Sequence, residues 1–86
     1  MNDLLLQSAF RAQQAGNLAE AGRLCQEVLR TAPRHPMALN LFAYVHMQTG
    51  NLPEAERLFA EAIAIQPAPD MFYNRGCTLQ ALRRES

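Results

Sequence analysis

The chain predicts an all-α fold, a stack of antiparallel helix pairs with five helices in total. Its 86 residues repeat themselves with a period of 34. Each period holds two apolar-periodic segments of helical length, split by Gly-Asn and closed by Pro. No segment reads as a strand.

Residues 2–35 laid over 36–69 agree at 12 of 34 positions. The identities are Leu5/Leu39, Ala9/Ala43, Gln14/Gln48, Gly16/Gly50, Asn17/Asn51, Leu18/Leu52, Glu20/Glu54, Ala21/Ala55, Arg23/Arg57, Leu24/Leu58, Glu27/Glu61 and Pro33/Pro67. They concentrate in G-N-L-x-E-A-x-R-L and the closing Pro, so shared composition does not explain them.

Each element has its own punctuation. The first helices of the two units are expected over roughly 3–14 and 37–48, and the second over roughly 18–31 and 52–65. Gly16 and Gly50 suit a C-terminal stop. Asn17 and Asn51 are good N-caps, and Glu20 and Glu54 three residues on approximate a capping box. Pro53 falls in a first turn, where a missing N–H costs nothing. Pro33 and Pro67 close the units, because the residue before proline avoids the helical region. His35, before Pro36, reads as a cap.

Composition narrows the function. Eight Arg balance eight acidic residues, only 19% of residues are charged, and 49% are hydrophobic. Bulk positive charge for nucleic acid is absent, as is a push toward an anionic membrane. The lack of Lys fits a GC-rich, bacterial coding bias. The N-terminus has no basic region before its apolar run, and no window reaches the roughly 18 apolar residues of a membrane span. A cytoplasmic location is the default expectation. Cys25 and Cys77 are too sparse for a disulfide scaffold and read as buried free thiols.

The 34-residue helix–turn–helix unit resembles the tetratricopeptide repeat, and the resemblance covers nearly the whole chain. Gly50-Asn51-Leu52-Pro53-Glu54-Ala55 is close to the family's interhelix turn. Ala21 and Ala55 stand at its first small position, Phe59 at its aromatic position and Ala62 at its second small position. The first unit departs with Cys25 and Val28 at the last two, and Leu5 and Leu39 replace the family's Trp. The resemblance implies a right-handed α-α superhelix in one domain over 1–86. Its units would be a repeat at about 2–35, a repeat at about 36–69 and a half repeat at about 70–84. That half repeat rests on Tyr73-Asn74-Arg75-Gly76-Cys77-Thr78-Leu79-Gln80-Ala81-Leu82, with one residue missing from the linker Gln66–Asp70.

The resemblance also implies that the first helices line a concave face. Helical spacing then selects Asp3, Leu6, Phe10, Gln13 and Gln14, next Met37, Asn40, Tyr44, Met47 and Gln48, and last Asp70, Tyr73, Cys77 and Gln80. Leu39, Phe42 and Ala43 should pack on the partner helix, Leu41 and Val45 on neighbouring repeats. Met37, Tyr44 and Met47 then have no internal role, and Met beside aromatics suits an adaptable binding surface. The ligand groove is therefore expected at Leu6, Phe10, Met37, Asn40, Tyr44, Met47, Gln48, Tyr73 and Asn74. A packing role for Phe10, Tyr44 and Tyr73 is the competing reading. Some family members clamp a C-terminal carboxylate with basic residues and Asn. Leu6, Phe10 and Leu41 occupy those places here, so an apolar segment is the expected guest.

No catalytic constellation is visible. His35 and His46 are the lone histidines, and His46 is expected to face the partner helix. No residues have metal-ligand spacing, and no glycine-rich phosphate loop exists. Glu54, Glu56 and Glu61 around Arg57 read as a solvated, ion-paired face. The expectation is a non-catalytic protein- or peptide-binding module without cofactor. Two alternatives stay open for the half repeat, whose polar tail suits a cap. In one, Phe72, Leu79 and Leu82 join a second copy as a homodimer; in the other, the chain is the N-terminal segment of a larger bacterial protein such as a glycosyltransferase or methyltransferase.

Overall fold

Two stop signals, 34 residues apart, shape the chain in the same way. The computed structural model describes residues 2–85, so Met1 and Ser86, the ends of the expected domain, lie outside the described residues. Among these it holds five helices and no strand: α1 Asn2–Gln14, α2 Leu18–Thr31, α3 Pro36–Gln48, α4 Leu52–Ile65 and α5 Pro69–Glu85.

Gly16 and Gly50 adopt φ of 81° and 87°. At the first turn the Gly16 N–H donates to the Gln13 carbonyl at 3.1 Å and the Asn17 N–H to Ala12 at 2.8 Å. At the second, Gly50 donates to Met47 at 3.3 Å and Asn51 to His46 at 2.9 Å. This double bond pattern reverses the chain while satisfying the last carbonyls, and it needs a left-handed residue.

The helix starts are less uniform than the sequence suggests. Asn17 Oδ1 accepts the Glu20 N–H at 3.3 Å, as an N-cap should. Asn51 makes no side-chain cap bond. Its Nδ2 donates instead to His46 Nδ1 at 3.2 Å, because the imidazole of the preceding helix lies within reach. Neither glutamate closes a capping box. Glu20 and Glu54 turn to Arg23 and Arg57, each in a paired hydrogen bond at 2.8 Å. A charge-assisted fork outcompetes a single bond to a backbone N–H. His35 does cap α3, its Nδ1 accepting from Ala38 N at 3.4 Å. The last linker is shorter than expected, since α5 already begins at Pro69, whose ring is preset for a first turn.

Within each unit the helices meet through small residues. Ala9, Leu24, Cys25 and Leu41 form one cluster, with Leu5 beside it. Leu39, Ala43, Ala55, Leu58, Phe59, Ala62 and Met71 form the largest. Phe59 is fully enclosed there, which contributes about 2–3 kcal/mol of transfer free energy. The units join through Leu41, through Leu6 against Val28 and Ala38, and through Val45 against Gly22. Met71 ties α5 to the second unit.

Among the described residues the backbones of the inner helices approach closely, α1 to α3 and α3 to α5, whereas those of α2 and α4 stay further apart. The inner rank is therefore the tighter one and the stack bends toward it. The result is a right-handed-repeat superhelix with extents of 39 × 26 × 20 Å.

Candidate functional site: a groove on the inner helices

The inner face of α1, α3 and α5 encloses a concavity of about 190 Å³. Phe10 and Gln13 come from α1, Asn40, Leu41 and Tyr44 from α3, Asp70 and Asn74 from α5. Two side-chain bridges span this rank. Gln13 Nε2 donates to Gln48 Oε1 at 3.4 Å, tying α1 to α3. Asn40 Nδ2 donates to Asp70 Oδ2 at 3.2 Å, tying α3 to α5. Asn40 and Asp70 also line a neighbouring concavity of about 160 Å³, which Met37 and Met71 share.

The expected groove residues divide by placement. Phe10, Met37 and Tyr73 are exposed at 38, 50 and 72%, and Gln48 is exposed as well. Asn40 and Asn74 are half-buried at the floor. Tyr44 and Met47 are half-buried and rest against the large cluster, so each has the internal role that the sequence reading denied it. Met71 of α5 belongs to the same cluster. Leu6 is not brought to the groove. It is 7% exposed and packs on Val28 and Ala38. Asn40 is its counterpart one period later, and there a polar residue meets Asp70 instead.

Sequence reasoning missed the Asn40–Asp70 bridge and its consequence. Asn40 Oδ1 is buried and accepts no bond. Its amide is held by Asp70 while its oxygen is out of water, an unfavourable arrangement of about 1–3 kcal/mol. The signal was present as polar Asn40 inside the otherwise apolar run 37–43.

The floor and rim carry little charge, with Asp70 the one ionisable carboxylate or base in the main concavity. Other depressions are larger but shallow. One of about 650 Å³ lies at the α1–α2 edge, lined by Asn2, Asp3, Leu5, Glu27 and Thr31, and draws on one repeat alone. His46 packs on Phe42 with ring centroids 4.5 Å apart and bonds Asn51, which occupies it structurally. Among the described residues no group of three or more His, Cys, Asp or Glu is placed to hold a metal. Among the described residues no helix is long and apolar enough to cross a membrane.

A stack of antiparallel helix pairs with a groove on its inner rank defines a helical-repeat protein. The Tetratricopeptide repeat family model matches residues 12–73, and the chain belongs to that family. No curated protein matches it. Among solved structures, a mutant of the Thermobaculum terrenum O-GlcNAc transferase is similar, with a TM-score of 0.89 and 34% identity over 91% of this chain. The chain spans 15% of that enzyme's length. Repeats of this family are generally non-catalytic and mediate contacts between proteins.

Proposed function

We propose that this chain captures a polypeptide segment in the inner groove, without chemistry of its own. One observation carries the reading: exposed Phe10 of α1 and exposed Met37 of α3 border two adjoining concavities that share half-buried Asn40, and half-buried Asn74 of α5 lines the first of them. Apolar rims supply burial, and side-chain amides pair with the backbone of an extended or helical guest. The groove's low charge favours an apolar segment over an acidic tail.

The test uses peptides selected from a displayed random library on the immobilised chain, then titrated by calorimetry. Phe10→Arg and Asn74→Arg should each weaken them tenfold or more, with unchanged helical circular dichroism. Tyr44→Ala should weaken them too, and also lower stability, since Tyr44 supports the core. Undiminished affinity in the two arginine variants would sink the proposal.

A second reading has support from the solved structure. The captured segment is an acceptor that the groove presents to a glycosyl transfer, as the likeness to an O-GlcNAc transferase suggests. Peptides recovered with the chain from its native cells would then carry an N-acetylhexosamine mass increment on Ser or Thr. Unmodified peptides throughout would remove this second reading and leave the first standing.

A further inference from the structure

The charges of this chain are sorted by face. Every glutamate of α2 and α4 holds an arginine: Glu20 with Arg23, Glu27 with Arg30, Glu54 and Glu61 with Arg57, and Glu56 with Arg75. On the inner rank Asp70 has no such partner among the described residues. None of the eight Arg lines either inner concavity. Asp70 lines both, and it is the one ionisable carboxylate or base in either.

In place of a cation Asp70 has the Asn40 amide. Nδ2 donates to Oδ2 at 3.2 Å, against 2.8 and 2.9 Å for Arg75 on Glu56. A charged donor on a carboxylate sits at about 2.7–2.9 Å, so this bond is a weak substitute. It also fixes the amide. With Nδ2 turned to the carboxylate, Asn40 Oδ1 is left buried and without a donor. A first-turn aspartate by itself asks for no ligand, because a helix N-terminus favours negative charge. The orphaned oxygen beside it does. Asp70 lacks a cation and Asn40 lacks an N–H, and one guest group can answer both.

The surroundings fit a side chain of that kind. Asp70 stands where the two concavities adjoin, with Phe10 and Tyr44 lining one and Met37 the other. What α5 offers beside them is mainly polar, since its exposed Phe72, Tyr73 and Leu79 line neither concavity. At about 190 and 160 Å³ both are smaller than the roughly 300–1,000 Å³ of a small-molecule pocket, so each suits single side chains.

We propose, on the basis of capture in the inner groove, that Asp70 is the seat of an arginine or lysine side chain of the guest, flanked in the guest by apolar residues for Phe10 and Met37. The cation brings the carboxylate a stronger donor than the Asn40 amide. The amide is then free to turn, and its oxygen accepts an N–H from the guest. Arginine is the better fit, because a planar guanidinium meets a carboxylate with two bonds and lies flat on an aromatic ring.

The probe is a displayed random peptide library, selected in parallel on the parent chain and on Asp70→Lys. Peptides from the parent should carry Arg or Lys well above library frequency. Those from Asp70→Lys should lose that enrichment and gain Asp or Glu. The tightest Arg-bearing peptide is then resynthesised with citrulline, which keeps the shape and removes the charge. Citrulline should weaken binding to the parent about tenfold or more. On Asp70→Asn, with helical circular dichroism unchanged, the Arg and citrulline peptides should bind alike. Glu20→Gln removes the same charge from an outer helix and should leave the parent's affinity as it was. In the isotope-labelled chain the Asn40 side-chain amide signals should move with the Arg peptide. Selected peptides without basic enrichment overturn the cation seat and leave the groove standing. So do an equal citrulline loss on Asp70→Asn, an equal weakening by Glu20→Gln, or unmoved Asn40 signals. A library that yields no binder overturns both.

Discussion

Cys25 shows how one side chain reports on the fold around it. Its thiol sits with Ala9, Leu24 and Leu41, and burial pushes its pKa from 9.0 to about 12. In the folded chain the proton is therefore held where the unfolded chain has lost it. The contribution to stability is complete below about 9 and disappears as pH rises through about 12. Denaturant melts should show constant stability from neutral pH to about 9 and a decline above it. Cys25→Ala, already destabilised by its cavity, should show a shallower decline. At neutral pH a maleimide should modify the partly exposed Cys77 and spare Cys25 until the chain unfolds; equal labelling of both would contradict the enclosure. Gly22 offers a gain. It lies inside α2 with a helical φ, and a Cβ there would meet Val45 Cγ1 at 3.6 Å, an ordinary contact. Gly22→Ala should raise stability by about 0.5–1 kcal/mol, read as a higher denaturation midpoint at unchanged slope.

At the scale of elements, the turns are the rigid parts of the design. Gly50 has a left-handed φ and open space around its Cα, so a methyl group fits but the backbone does not suit it. Gly50→Ala should cost about 1–2 kcal/mol from backbone strain alone. Gly76→Ala, helical and also unhindered, should cost nothing or stabilise. A thermal melt of the two variants separates conformation from packing, because each adds the same methyl group. These turns were legible beforehand, since glycine at a helix end has a local cause. The caps were legible only in part. Asn17 follows the local rule and Asn51 does not, because His46 competes for its amide. Whether an imidazole lies beside a cap is decided by the packing of α3, which no short window of residues records.

At the scale of the molecule, the half repeat has to be held to the stack. Met71 and Thr78 supply its buried contacts. Arg75 adds a forked pair to Glu56 of α4, Nε to Oε2 at 2.8 Å and Nη2 to Oε1 at 2.9 Å. The carboxylate raises the Arg75 pKa further above its usual range. The pair is partly exposed, so Glu56→Gln should cost about 0.5–1 kcal/mol. The loss should appear first as faster hydrogen exchange in α5, with α1 to α3 unchanged. Uniformly faster exchange would mean that the stack opens as one unit. The pairing of Arg57 with Glu54 and Glu61 was readable, because its partners lie three and four residues away on one helix. The Arg75–Glu56 pair links two helices and was not.

The same division holds for the candidate groove. Phe10, Met37 and Tyr73 are exposed on the inner helices, where helical spacing and the repeat register placed them. Leu6 shares that register yet lies in the core, and Tyr44 and Met47 lean on it. Periodicity determines which side of a helix a residue occupies. It does not determine how far the next repeat reaches over that side. Thus the helices, their order, their turns and the family were legible along the chain, because each follows from contacts close in sequence or from the repeat. The tertiary structure alone decided the Asn40–Asp70 bridge, the burial of Leu6 and the Arg75–Glu56 pair. Each depends on the distance and rotation between neighbouring helices, which side chains far apart in sequence set together.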